Sequence, residues 1–292
     1  MAIRKILLPL AGAASARAAL GTALLLGMRW QAHVHALHVR TDTRDVAPLA
    51  GEGLSGAMIE EMMATTEKEG NTEARALSAL FDAETAARGI AVGAPVRAAG
   101  GAVEQASAWF TSVVGREDEL VASEARLSDL IVVPHPKSAE DVASADALHA
   151  VLFDSGRPAL IAPVEPANTI GTRIAIAWNG TAESASAVAS IMPWLASAGH
   201  VRIFHSPDYQ RQGPPAAQLA AYLELHGVAA DDTEFRATDR SAGAGLLAAV
   251  TEYGADLLAM GAYSHSRLRQ LILGGVTRHV LEYARLPVLM NR

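Results

Sequence analysis

Short apolar runs alternate with amphipathic, alanine-rich stretches along the whole chain. Ile3 to Leu10 is the first such run, and Ala255 to Met260 is one of the last. In the C-terminal half the pattern predicts strands over about 173–178, 200–205, 232–238, 256–260 and 287–291, with helices near 182–197, 214–226, 242–253 and 276–284. Apolar runs this short suit strands covered on both faces. Strands that alternate with helices imply right-handed crossovers and a parallel sheet, hence an α/β fold. In the N-terminal half, Ala57 to Arg88 is one long helical pattern, expected to be interrupted near Gly70-Asn71.

The pattern occurs twice. Ile3-Arg-Lys-Ile-Leu-Leu-Pro-Leu is echoed by Thr172-Arg-Ile-Ala-Ile-Ala-Trp-Asn, and Ala36-Leu-His38-Val by Ile203-Phe-His205-Ser. Arg88-Gly89-Ile90 is echoed by His226-Gly227-Val228, Ser128-Asp129-Leu by Ala255-Asp256-Leu, and Arg157-Pro158-Ala-Leu by Leu286-Pro287-Val-Leu. Five correspondences in one order predict two copies of one module. Glu165 to Gly171 has the Pro and Gly content of a linker. The chain is therefore read as two tandem five-stranded parallel-sheet domains, Rossmann-like in layout, over 1–167 and 168–292. The first copy is longer, with its surplus mostly in 41–85 and 100–118. Arg4 and Lys5 ahead of an apolar run, with Ala14-Ser15-Ala16 beyond, imitate a secretion leader. The repeat instead makes residues 3–10 a structural strand.

Composition narrows the function. Half of the 292 residues are apolar and only 5% are aromatic, which suits helices packed closely on a sheet. A formal net charge of -7 disfavours a sequence-independent nucleic-acid binder, which needs a basic face. It leaves local binding of one small anion open. The absence of cysteine excludes disulfides, thiolate metal sites and cysteine nucleophiles. No apolar run reaches the roughly 18 residues of a spanning helix, so no membrane partner is expected.

One segment points to a ligand. Gly261-Ala-Tyr-Ser264-His265-Ser266-Arg267-Leu-Arg269-Gln-Leu-Ile-Leu-Gly274-Gly275 follows a predicted strand and leads into Val276-Thr277-Arg278-His279, which reads as a helix start. A glycine-punctuated strand-to-helix loop exposes backbone N–H groups and the positive end of a helix dipole, the chemistry of a phosphate cradle.

A tandem α/β module that ends in such a loop, a helix and Leu286-Pro-Val-Leu-Met290 resembles the universal stress protein family. The resemblance spans essentially the whole chain and is strongest over 255–292 and 172–190. It implies the adenine nucleotide alpha hydrolase-like fold. In nucleotide-binding members the loop reads Gly-x2-Gly-x9-Gly-Ser/Thr and cradles the phosphates of ATP, while an Asp after the first strand holds the adenosine part. Here Gly261 fills the first glycine position and Gly274 the third. Ser264 stands at the second glycine, Gly275 at the Ser/Thr position with Thr277 two residues on, and Asn179 at the Asp, with Ala177 before it. The spacing is kept and three side chains have changed. Backbone donors of Ser264, His265, Ser266 and Arg267, and of Gly275, Val276 and Thr277, are the expected anion ligands. The corresponding first-module segment, Pro134 to Asp146, has two prolines, no glycine and three carboxylates, Glu140, Asp141 and Asp146. That module is expected to be a degenerate partner without nucleotide.

The resemblance further implies a cytoplasmic stress-response binder or sensor of ATP or another adenine nucleotide. It implies an internal pseudo-dimer, able to form a homodimer, and at most slow ATP hydrolysis, since no catalytic base or arginine finger is evident. Two alternatives stay open. In one, the loop holds another phosphate-like anion or none, and the paired sheets bind protein. In the other, the layout carries an enzyme such as an adenylate-using transferase, with His265 and His279 as the only groups on offer.

Other signals carry less. Gly243-Ala-Gly245 loosely matches a dinucleotide fingerprint but follows the third strand and lacks the acidic residue about 20 positions on. His33 and His35 share a strand face; without a third ligand they read as polar decoration of a strand edge, and no metal is expected. His38 and His205 read as structural hydrogen-bonding groups near the C-terminal edge of the sheet. Met58, Met62 and Met63 read as core or inter-module packing.

Overall fold

The computed structural model describes residues 2–43, 55–95, 105–136, 143–211, 213–262 and 275–292. In the N-terminal half the elements are β1 (Lys5–Pro9), α1 (Ala13–Trp30), β2 (His33–Arg40), α2 (Gly56–Ala87), β3 (Ala91–Val92), β4 (Ser107–Val114), α3 (Glu117–Ala125), β5 (Leu130–Val133), α4 (Ala143–Ala150), a π-helical turn (Val151–Ser155) and β6 (Ala159–Ile161). The C-terminal half adds β7 (Arg173–Ala177), α5 (Ala182–Leu195), β8 (His200–His205), α6 (Ala216–Leu225), β9 (Asp231–Glu234), α7 (Ala242–Tyr253), β10 (Leu257–Gly261), α8 (Val276–Tyr283) and β11 (Val288–Asn291).

These strands form one sheet in the order β3-β4-β2-β1-β5-β6-β11-β10-β7-β8-β9. Neighbours within each half are parallel, as their buried apolar runs require. The halves meet through an antiparallel pair, with Val288 opposite Ile161, Leu289 opposite Leu160 and Met290 opposite Ala159. The halves therefore run in opposite directions about a pseudo-two-fold axis, and their C-terminal strand ends lie on opposite edges of the shared sheet.

The sequence repeat has a physical basis. Asp129 Oδ2 accepts from the backbone N–H groups of Arg4 and Lys5 at 2.8 and 3.0 Å. Asp256 does the same for Gly171, Thr172 and Arg173 at 2.8 to 3.0 Å. Each carboxylate ties the start of its half's first strand to the strand beside it. Gly89 and Gly227, both at positive φ, end α2 and α6 at equivalent places.

Both faces of the sheet carry a core. One cluster joins Ile6, Leu8, Val34 and Ala36 to α1 and α2 through Leu20, Leu24, Leu77 and Phe81, and continues to Ile174, Ile176, Ile191 and Trp194. The other joins Leu7, Ile131, Val133, Leu258 and Met290 to Val121, Val151, Leu246 and Val280.

The first half departs from the expected five strands. β4 inserts between β2 and the two-residue β3, pairing with β2 along its whole length from Ser107 to Val114. The long helix is not interrupted at Gly70-Asn71: α2 runs unbroken from Gly56 to Ala87. The Arg40 stem packs against Gly70, where an added Cβ would lie 3.6 Å from it, and Arg40 Nη1 donates to Asn71 Oδ1. That contact offsets the weak helix propensity of both residues. The buried residues of α2 are Leu77, Phe81 and Thr85, so its first half reaches beyond the sheet. Met58 and Met62 are accordingly exposed, at 49% and 40%, rather than packed in a core.

β2 lies inside the sheet, so His33 and His35 are not edge decoration. His33 Nδ1 pairs with Ser107 Oγ at 2.9 Å and His35 Nε2 with Thr111 Oγ1 at 2.7 Å. Among the described residues no three His, Asp or Glu side chains group as a metal site, and no helix is long and apolar enough to cross a membrane.

Candidate functional site

In the C-terminal half the chain leaves β7 toward β8 and returns on the other side through β10, with Met260 opposite Ala177. Strand order thus reverses at β7, and the C-terminal ends of β7 and β10 bracket the crevice where open α/β sheets take ligands. The structure brings Ala177, Asn179 and Gly261 to this edge, along with Gly275, Val276 and Thr277 at the start of α8. Ser264, His265, Ser266, Arg267 and Gly274 lie outside the described residues.

Two helices begin here, and their N-termini differ. At α5 the Asn179 Oδ1 accepts from the Thr181 N–H at 3.2 Å and from its hydroxyl at 3.0 Å. Thr181 Oγ1 in turn accepts from Ser184 N at 3.3 Å, and Glu183 adds a carboxylate in the first turn. This helix end is satisfied by its own side chains. At α8 the N-cap is Gly275, which supplies no side-chain acceptor, and the first turn holds no acidic residue. Among the described residues, no side chain is seen to cap its orphan N–H groups or offset its dipole.

Gly261 has a packing role. A Cβ there would lie 2.6 Å from Ser184 N and 2.7 Å from the Glu183 carbonyl carbon. Only a glycine lets the start of α5 settle onto the end of β10. The loop before α5 is held in the same way: the Trp178 indole N–H donates to Pro214 O at 2.8 Å, and Arg211 N donates to Asn179 O at 2.8 Å. Sequence reasoning missed Trp178, Thr181 and Arg211. Asn179-Gly180-Thr181 ahead of an alanine-rich helix was the available signal, a turn followed by an N-cap.

Gly243 and Gly245 also serve packing rather than a dinucleotide. A Cβ on Gly243 would lie 2.5 Å from that of His279 on α8, and one on Gly245 would lie 2.0 Å from Arg236 O. His279 Nδ1 sits 3.5 Å from Ser241 Oγ, the N-cap of α7, and so helps join α7 to α8. His205 Nε2 meets Asp232 Oδ2 at 3.2 Å, and His38 Nδ1 meets Leu10 O at 2.8 Å; both act as hydrogen-bonding groups at strand ends.

Residues 179–292 match the family model of the universal stress protein family. That stretch belongs to the universal stress protein family. The whole chain shares its fold with the crystal structure of a universal stress protein from Archaeoglobus fulgidus DSM 4304, at TM-score 0.65 and 15% identity, covering 99% of this chain and 98% of that one. A protein assigned to the universal stress proteins from Pseudomonas aeruginosa UCBPP-PA14 matches at TM-score 0.53 and 15% identity, covering 99% and 93%. No curated protein sequence matches the chain. The likeness over the full length extends the universal stress protein fold to the N-terminal half, which the family model does not cover.

Proposed function

We propose that the C-terminal half binds an adenine nucleotide, ATP or AMP, with its phosphates at the N-terminus of α8 and residues 263–274 of the sequence motif, and that the protein acts as a stress-response binder or sensor. The observation that carries this reading is the N-terminus of α8. Among the described residues it has no side-chain cap, and its first turn is free of acidic residues, while the neighbouring α5 is closed by Asn179, Thr181 and Glu183. Backbone N–H groups at such an end bind phosphate without help from any one side chain, which accommodates the altered loop. Membership of the universal stress protein family supports the same reading.

The N-terminal half is the silent partner in this proposal. At its own switch point the Glu73 carboxylate accepts from Ala13 N, the first N–H of α1, at 2.5 Å. An internal carboxylate there repels an incoming phosphate.

The test is Gly274→Val combined with Gly275→Val. A Cβ on Gly275 meets nothing within 4 Å, and φ there is -83°, so valine at 275 fits the described fold. ATP affinity by calorimetry is expected to fall at least about tenfold, roughly 1.4 kcal/mol, with the unfolding midpoint little changed. Unimpaired ATP binding contradicts the proposal.

A second reading rests on Asn179. Its Oδ1 is already engaged by Thr181, so it is poorly placed to hold an adenosine group. In this reading the loop takes another small anion or none and the sheets present a protein-binding surface. Heat with inorganic phosphate but none with ATP favours it.

A further inference from the structure

The two edges of the sheet differ in how they meet an approaching chain. At one edge β9 is four residues long and carries Asp231, Asp232 and Glu234. A short acidic strand resists pairing with another chain. At the other edge the outermost strand is β3, whose two residues pair only with Ser107 and Ala108. Gly93 N donates to Ala108 O, and Pro95, two residues on, has no N–H to extend the ladder. Beyond Ala108, among the described residues, β4 is itself the edge. It reads Ser-Ala-Trp-Phe-Thr-Ser-Val-Val, with no charge and no proline, and its register with β2 is unbroken. None of the usual guards of an edge strand is present in it.

The main chain of β4 is aimed outward at every second residue. Ser107 N donates to Ala32 O and Gly115 N to Arg40 O, both toward β2. Odd-numbered residues therefore serve β2, while Phe110, Ser112 and Val114 turn their N–H and C=O groups the other way. The strand is held firmly for this. Phe110 packs 5.8 Å from Phe81 of α2 on one face, and Thr111 Oγ1 pairs with His35 Nε2 at 2.7 Å on the other. On that second face Val121 and Ala125 of α3 cover Leu7 and Leu37. Trp109 and Val113 share the face one strand further out, and they are 47% and 37% exposed.

An occupant of this edge must bring main-chain donors and acceptors and match the order of these side chains. A second copy of β4 does both. Antiparallel pairing about a two-fold axis at Thr111 sets Trp109 of each copy opposite Val113 of the other. Phe110 and Ser112 then exchange main-chain N–H···O bonds across the axis through their outward groups. An aromatic residue opposite a β-branched one is a favourable cross-strand pair, and the symmetry makes it twice. No like charges meet, because residues 109–113 hold none. The chain already joins its own halves in this manner, by antiparallel pairing of β6 with β11.

We propose that β4 is the surface through which two copies of the chain pair edge to edge, about a two-fold axis at Thr111. None of the nucleotide-site residues takes part. A short strand pair is a small interface, so the dimer is expected to be reversible and concentration-dependent. The experiment is sedimentation equilibrium of the full chain from micromolar to submillimolar concentration, with cross-linking to read the register. The unaltered chain is expected to pass from monomer to dimer. Val113→Asp sets a carboxylate against Trp109 twice about the axis and is expected to weaken the dimer by at least roughly tenfold. The chain has no cysteine, so introduced ones report cleanly. Under mild oxidation, Trp109→Cys mixed with Val113→Cys is expected to give a disulfide between the two variants, and either alone to give little. Both positions are exposed, which favours an intact fold in each variant. A monomer throughout the range overturns the proposal. So does a dimer of full strength in Val113→Asp, or cross-linking no greater in the mixture than in either variant alone.

Discussion

A methyl group at position 261 would sit 2.6 Å from the Ser184 amide nitrogen, and the atoms in its way are backbone. They cannot rotate aside, so relief requires α5 to lift from β10. Gly261→Ala is expected to lower stability by about 1–3 kcal/mol, seen as a lower urea midpoint with unchanged slope; a loss below about 0.5 kcal/mol contradicts this packing. The sequence singled out Gly261 for backbone exposure in a phosphate loop, whereas the structure shows a packing reason for glycine there. The close approach of α5 comes from tertiary packing, which no local spacing shows. Asn179 illustrates the same limit. Its place after the first strand was legible, while its engagement with Thr181 becomes visible only once the turn is folded.

At the scale of elements, the second half was legible because most of its strands are short apolar runs bounded by turn residues, the polar β9 (Asp231–Glu234) being the exception. The expected strands at 173–178, 200–205 and 256–260 agree closely with β7, β8 and β10. The first half was less legible because its decisive contacts are distant in sequence. Arg40 sustains α2 across Gly70 and Asn71 from about 30 residues away, and β4 owes its place between β2 and β3 to pairing along β2. That pairing buries His33, whose imidazole is pulled down from 6.5 to about 4, first by burial, then by His35 and Lys5. Burial also lowers His35, with Glu124 acting in the opposite direction. For His33 the folded pKa lies below the unfolded one, so the unfolded chain binds more protons between the two. Stability is therefore full above about pH 6.5 and is lost as pH falls toward 4. The shift corresponds to about 3 kcal/mol, reduced by solvent screening to roughly 1–2 kcal/mol. Urea midpoints across that range should fall with acid, and should fall less in His33→Asn; an equal fall in both assigns the acid sensitivity elsewhere.

For the whole molecule, the antiparallel join of β6 and β11 makes one continuous sheet, and the helices reinforce it. Trp30 at the end of α1 packs edge-on to Trp194 of α5, with ring centroids 4.4 Å apart. Arg29 Nη2 donates to Ser197 Oγ at 2.7 Å, and Nη1 donates to Ile170 O in the linker. The two halves are expected to unfold together, with far-UV circular dichroism and tryptophan fluorescence giving coincident urea curves. Trp30→Ala should lower stability by about 1–3 kcal/mol; two separated transitions in the unaltered chain would show the halves to be independent. The repeat was visible in the sequence, and the antiparallel join then follows from placing two like modules edge to edge.

The central claim concerns which half holds a ligand, and nucleotide stoichiometry tests it most directly. The measurement is the amount of adenine nucleotide released on denaturing the purified protein, by mass spectrometry, with ATP titration calorimetry on the emptied chain. About one nucleotide per chain, lost in the Gly274→Val with Gly275→Val variant, is the predicted result. About two per chain, or none released and no heat at millimolar ATP, would contradict a single live site at the N-terminus of α8.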